Sequence, residues 1–213
     1  MTLRVKRINA ISVEQLANGD EAVMAQLANL DWQVIEQSPW EESFPYRPHV
    51  RFQIAHSEEA IYLHYEVQEG FVKAQYIRIN ENVWEDSCVE FFLSLDGRKT
   101  YYNVEFNVLG TGLVGYGTEV KTERKRLDPS LTGQISTFTQ VFSLAGKKTW
   151  RMLLAIPKHI FATGIPVDTV VHANFYKCGD GLPQPHYLAW NTIENPTPNF
   201  HLPAYFGELI FEK

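Results

Sequence analysis

A chain of 213 residues, 45% hydrophobic and 21% charged, has the length of one large domain and enough apolar content to offset its ordering entropy, which excludes a disordered chain. A formal net charge of −6 and a pI near 5.6 argue against the basic face that domains use to neutralise phosphates, so nucleic acid is not an expected partner. No stretch approaches the ~20 apolar residues of a membrane span, so a membrane is not expected either.

From the N-terminus, Met1 to Asn9 alternates charged and apolar residues and shows no signal-peptide core, so the chain as it stands reads as unaddressed and cytoplasmic. Helical signals follow at Ser12 to Leu16 and at Asp20 to Ala28, with Asp20 as a candidate N-cap. Period-2 patterns then take over. Val50 to Ala55 and Ala60 to Val67 are rich in β-branched and aromatic residues and flank the polar His56 to Glu59, which predicts a hairpin. A second hairpin is predicted from Cys88 to Leu95 and Thr100 to Leu109, joined by Asp96-Gly97-Arg98-Lys99, where Gly97 can take a positive φ.

Leu113 to Tyr116 reads as the next strand. The basic run Lys121 to Arg126, broken by Glu123 and ended by Asp128-Pro129, reads as a solvated connection. Further strands are expected at Gln134 to Phe142, Thr149 to Ile156, Val170 to Lys177, His186 to Trp190 and Glu208 to Phe211, with a short helical turn at Pro157 to Ala162. Many short strands punctuated by Gly and Pro predict a single all-β domain over residues 1–213. The expected architecture is a two-sheet antiparallel β-sandwich, jelly-roll-like, with a few short helices.

The second hairpin carries the functional signal. Tyr102, Val104, Phe106 and Val108 alternate with Tyr101, Asn103, Glu105 and Asn107, and Val89, Phe91, Leu93 and Leu95 alternate with Cys88, Glu90, Phe92 and Ser94. One row of each strand is expected to pack and the other to stay open. Glu90 would then lie near Asn103, Glu105 and Asn107, with Trp84 just before the hairpin and Phe200 near the C-terminus. A polar row of this kind is by default the solvated side of a sheet. Carboxylate and amide groups beside flat aromatics are also what sugars require, since sugars present hydroxyls at their rims and C–H groups on their faces. Trp190, inside Tyr187-Leu188-Ala189-Trp190, is expected in the core. Cys88 and Cys178 are expected as free thiols, and the seven histidines lack the spacing of a zinc site.

Three segments resemble carbohydrate-binding module family 9. Trp84-Glu85-Asp86-Ser87-Cys88-Val89-Glu90 is similar to the family's W-E-x-D-S-V-E ahead of an apolar strand. Tyr101 to Val108 looks like the strand that carries hydrogen-bonding residues, and Phe200 to Leu209 is similar to a closing aromatic-x-x-P-x-x-F-G-x-L. The resemblance implies a β-sandwich that holds the end of a sugar chain between two aromatic walls, here Trp84 and Phe200, with Glu90, Glu105, Asn107 and Asn199 as polar contacts. It also implies structural calcium, relatives that are exported, and partnership with a separate glycoside hydrolase. The chain departs from the family pattern in having Phe for Trp at the second wall, and Glu105 and Asn107 where Gln and Arg are expected.

Two other readings stand beside binding. Glu90 and Glu105 could be a glycosidase carboxylate pair, although an open sheet face would do little to raise a catalytic pKa. Exposed aromatics could instead meet a protein partner.

Overall fold

The computed structural model describes residues 1–19, 21–144 and 147–213, so the proposed Asp20 cap lies outside the described residues. The chain forms strands β1 (Thr2–Arg7), β2 (Gln33–Val34), β3 (His49–His56), β4 (Ala60–Glu69), β5 (Cys88–Ser94), β6 (Tyr101–Asn107), β7 (Gly112–Gly117), β8 (Lys125–Arg126), β9 (Ser136–Leu144), β10 (Lys147–Pro157), β11 (Val170–Cys178), β12 (Tyr187–Ala189) and β13 (Gly207–Phe211). Among the described residues, three short α-helices are interspersed, α1 (Val13–Ala17), α2 (Glu21–Ala28) and α3 (Pro129–Thr132). Ser12 caps α1 in a reciprocal box with Gln15, and Asp128 caps α3 ahead of Pro129.

The strands join in the order β8-β7-β6-β5-β11-β13-β1-β3-β4-β10-β9, with β12 on β11 and β2 on β3, as one curled ladder. β1 is the seam: its Thr2–Val5 stretch pairs with β13 and its Lys6–Arg7 stretch with β3. Both pairings are parallel, which corrects the expectation of a wholly antiparallel arrangement. Its period-2 row is short, Leu3 half-buried and Val5 buried between Arg4 and Lys6, so the sequence shows it only as an alternation without a signal-peptide core.

The curl turns the inner rows of the two halves against each other. Val89, Phe91, Leu93, Tyr102, Val104 and Phe106 form one core cluster with Val50, Phe52, Leu63, Tyr65, Trp150 and Met152 from the other half. The Phe52 and Phe175 rings stack across the gap at 3.9 Å, and Phe175 in turn stacks on Phe91 at 4.9 Å. Trp190 is buried in this cluster, as its strand-like setting predicts. Both predicted hairpins form; in the second, Val89 lies opposite Phe106 and Phe91 opposite Val104, and Gly97 turns at φ 75°.

Both outer faces are covered, which corrects the expectation of an open one. Over β3, β4 and β10, Leu16, Val23, Leu27 and Leu30 of the helical segment pack on Ala55, Tyr62 and Leu153. Over β5, β6 and β11, loop residues Trp40, Phe200 and Phe206 pack on Phe92, Tyr101 and Tyr176. This second cover encloses the site.

Candidate functional site

Alternation puts Cys88, Glu90 and Phe92 of β5, Asn103 and Glu105 of β6, and Cys178 of β11 on the covered face. Glu90 lies directly opposite Glu105 across β5 and β6, and Cys178 directly opposite Cys88 across β11 and β5. A cleft of about 690 Å³ opens above them, lined also by Trp84, Asp180, Tyr187, Asn199, Phe200 and His201. Its floor stays open at β7 because a Cβ on Gly115 would strike the Asn103 carboxamide.

The floor is polar but buried. Glu90 and Glu105 are each only 4% exposed. Burial, and then the charge of Glu105, push the Glu90 carboxyl well above its ordinary range. Burial raises Glu105 to about 7, and burial raises Asp180 to about 6. The expectation that this face would do little to raise a carboxyl pKa is therefore overturned, because the covering loops were invisible to strand periodicity. Asn103 Nδ2 donates to Glu105 Oε1 at 2.7 Å, and the Cys178 thiol donates to Glu90 Oε1 at 3.0 Å.

Trp84 is half-buried in a short 3₁₀ turn, Val83–Glu85, and lines the cleft. The Asp180 N–H donates to the Trp84 carbonyl at 3.2 Å, and the Arg126 guanidinium lies 5.8 Å over the indole. Phe200 is set differently. It stacks face to face on Tyr176, ring centroids 4.1 Å apart and 6° from parallel, and is 8% exposed, so it is packed as a core residue although it also lines the cleft. Asn199 is exposed on the rim, and its Oδ1 accepts the His201 N–H at 2.9 Å.

Asn107 does not share the cleft with these residues. It is fully buried, donating to the Tyr76 carbonyl and Asp86 Oδ2 while its own oxygen accepts the N–H groups of Leu109 and Thr111. The alternation that put it in the Glu105 row was right, but at the end of that row the loop before β5 covers it. Asp86 accepts the N–H groups of Gln75 and Tyr76 as well, and so pins that loop to the sheet.

Sequence reasoning missed several lining groups. Asp180 comes from the turn after β11 and Tyr187 from β12, and Lys121, Arg124, Lys125 and Arg126 form one wall. The basic run is solvent-exposed as expected but also faces the cleft, because the pairing of β8 with β7 folds it back over the sheet. Arg124 Nη1 donates to the Tyr101 hydroxyl at 3.1 Å, and that hydroxyl meets His201 Nδ1 at 2.8 Å. Burial, with the charge of Arg124, holds His201 down at about 3.

The calcium that the resemblance implies finds no oxygen shell at Asp86 or Asp96. Asp86 is consumed as described, and Asp96 accepts from Ser94, Lys99 and Thr100 within its own turn. Among the described residues, the one group of three or more close His, Cys, Asp or Glu ligand atoms is Cys88, Glu90 and Cys178, whose two sulfurs are not the hard oxygen shell that calcium takes.

The sequence profile of carbohydrate-binding family 9 matches residues 19–211. A crystal structure of a Bacteroides uniformis protein, provisionally described as carbohydrate-binding, superposes with a TM-score of 0.88 at 34% identity, covering 99% of each chain. A family 9 carbohydrate-binding module from Caldicellulosiruptor kristjanssonii, solved with glucose, gives 0.66 at 13% identity over 100% of this chain and 96% of that one. The same organism's module with cellotriose gives 0.61 at 13% identity, covering 100% and 94%. At that identity the two modules attest a shared fold. No curated protein matches the chain.

Proposed function

The chain belongs to carbohydrate-binding family 9, and from that premise we propose that it binds a sugar or the end of an oligosaccharide in the cleft beside Trp84, without catalysing a reaction on it. The carrying observation is the cleft itself: about 690 Å³, a half-buried indole on one side, and a floor of carboxyl and carboxamide groups from adjacent strands. A sugar ring laid on the indole would bury its C–H face while its hydroxyls reached Glu90, Glu105 and Asn103. Carboxyl groups with raised pKa both donate and accept hydrogen bonds, as a hydroxyl-rich ligand requires. Phe200 supports this arrangement from below by holding Tyr176, and Asn199 offers an amide at the rim. The architecture is read as a two-sheet sandwich whose halves meet at β1. The glucose and cellotriose complexes of the related modules make glucose-based sugars the first ligands to test.

Calorimetric titration with glucose, cellobiose and cellotriose tests the proposal. Binding by wild type, weakened at least about tenfold in Trp84→Ala, is the expected outcome. A sugar that binds with unchanged affinity to Trp84→Ala would place the site elsewhere.

A second reading is favoured by one observation, the directly opposed and desolvated Glu90 and Glu105, since glycosidases use a pair of carboxyl groups of which one has a raised pKa. Glu105→Gln separates the two readings. It keeps much of the affinity if the group only exchanges hydrogen bonds, and it abolishes any release of reducing sugar if the group is catalytic. Wild type that releases no sugar from oligosaccharides it demonstrably binds excludes the second reading.

A further inference from the structure

We infer that Cys88, Glu90 and Cys178 form a binding site for one soft divalent cation of the zinc type, with Glu105 as fourth ligand. The sequence gives no zinc spacing because the two cysteines are 90 positions apart in the chain. They are brought together by the β5–β11 ladder, where Cys88 stands directly opposite Cys178. Glu90 follows Cys88 by two positions and so shares its face. One ligand atom from each of the three residues lies within 4.8 Å of the others, and all three residues are buried. The Cys178 thiol is already 3.0 Å from Glu90 Oε1. A tetrahedral zinc bound by thiolate at about 2.3 Å and carboxylate at about 2.0 to 2.2 Å needs ligand–ligand edges of roughly 3.3 to 3.8 Å, so side-chain rotations suffice to bring these three ligand atoms onto one ion.

A second, independent observation points to the same place. Glu105 is opposite Glu90 on the neighbouring strand, and its Oε2 is buried with no hydrogen-bond partner among the described residues. A buried carboxylate oxygen without a donor, set beside a second carboxylate, is an arrangement that a cation completes. Two sulfurs select a soft or borderline metal over calcium or magnesium. Cys178 lines the cleft, which supplies a path of entry. Loading releases to solvent the two thiol protons and whatever protons Glu90 and Glu105 carry, and leaves two thiolates and two carboxylates around a doubly charged ion, a net charge of about −2 in a cleft whose lining also holds Lys121, Arg124, Lys125 and Arg126.

The test uses metal alone, so its outcome does not depend on sugar binding. Reduced protein, stripped with chelator and then dialysed against zinc, is expected to retain about one zinc per chain and to melt at higher temperature. Cobalt in its place should give thiolate-to-metal absorption in the near ultraviolet. Cys178→Ser, checked for folding by circular dichroism, should weaken zinc binding at least tenfold and remove that absorption, and Glu105→Gln should weaken binding while leaving the absorption. Wild type that retains no more zinc than the Cys88→Ala/Cys178→Ala variant overturns the inference, as does native protein in which mass spectrometry finds the two cysteines joined.

Discussion

His64 is a buried imidazole far from the cleft, and its surroundings fix both its tautomer and its pH behaviour. Gln53 spends its amide hydrogens on the carbonyls of Leu27 and Leu30, so its Oε1 accepts from His64 Nδ1–H at 3.0 Å. Nε2 is left buried without a hydrogen-bond partner among the described residues. Burial, then the charge of Arg151, lowers the pKa from 6.5 to about 4. Between those values the unfolded chain holds a proton on His64 that the folded chain refuses, so stability is full above pH 6.5 and falls as pH drops toward 4. The loss attributable to this group is about 3 kcal/mol. Denaturant midpoints at pH 7.5 and 4.5 should therefore converge in His64→Gln relative to wild type; equal pH dependence in the two proteins would show that another group carries the effect. Trp84 and Phe200, paired as walls in the sequence reading, separate on the same reasoning. Phe200→Ala empties a stacked, buried site and should lower stability by about 3 kcal/mol, whereas Trp84→Ala should leave the melting curve near wild type and act on affinity.

The loop that leads into β5 owes its position to one carboxylate. Asp86 is fully buried and its oxygens take the N–H groups of Gln75 and Tyr76 and the Asn107 amide, while Ser87 Oγ accepts the Lys73 N–H. The D-S step of the Trp84 motif is therefore a loop anchor, and Trp84 is held where it is by that anchor two residues on. Asp86→Ala strands buried donors, a loss of about 3 kcal/mol, and should open the segment from Val72 to Asn82 to protease before the rest of the chain. Uniform cleavage, or none, would show that the loop is held by other contacts. Because Trp84 rides on this loop, the same variant should also weaken any ligand that Trp84 binds.

Across the two halves of the ladder runs a buried ion pair. Glu69 continues the inner row Ile61, Leu63, Tyr65 and Val67 of β4, and Lys177 continues Val171, Ala173 and Phe175 of β11. Their charges meet at 3.0 Å with both side chains wholly buried, Trp150 Nε1 donates to the other Glu69 oxygen at 2.7 Å, and Lys177 Nζ donates to His186 Nε2 at 2.9 Å. Removing one charge leaves the other buried and uncompensated, so Lys177→Met should destabilise by about 3 to 5 kcal/mol. Glu69→Gln combined with Lys177→Met removes both charges, keeps an acceptor for Trp150, and should recover most of the loss in a thermal melt. A double variant as unstable as the single one would show that the pair is not the clamp between the halves.

The sequence by itself determined what repeats locally. Period-2 alternation identified the strands of both hairpins and sorted Val89, Phe91, Val104 and Phe106 to the core and Glu90 and Glu105 to one shared face, because side-chain direction along a strand depends only on parity. Gly97 marked its turn for an equally local reason, and the motif around Trp84 led to the cleft. Parity is silent about what lies above a face. Only the tertiary structure decided that Trp40, Phe200 and Phe206 come from far along the chain to cover the polar row, that Asn107 and Asp86 serve a loop rather than the cleft, and that Lys121 to Arg126 fold back as its wall. The same holds for Cys88 opposite Cys178 and Lys177 opposite Glu69. Each pairing is set by ladder order and curl, which depend on the free energy of the whole core and leave no local pattern in either partner.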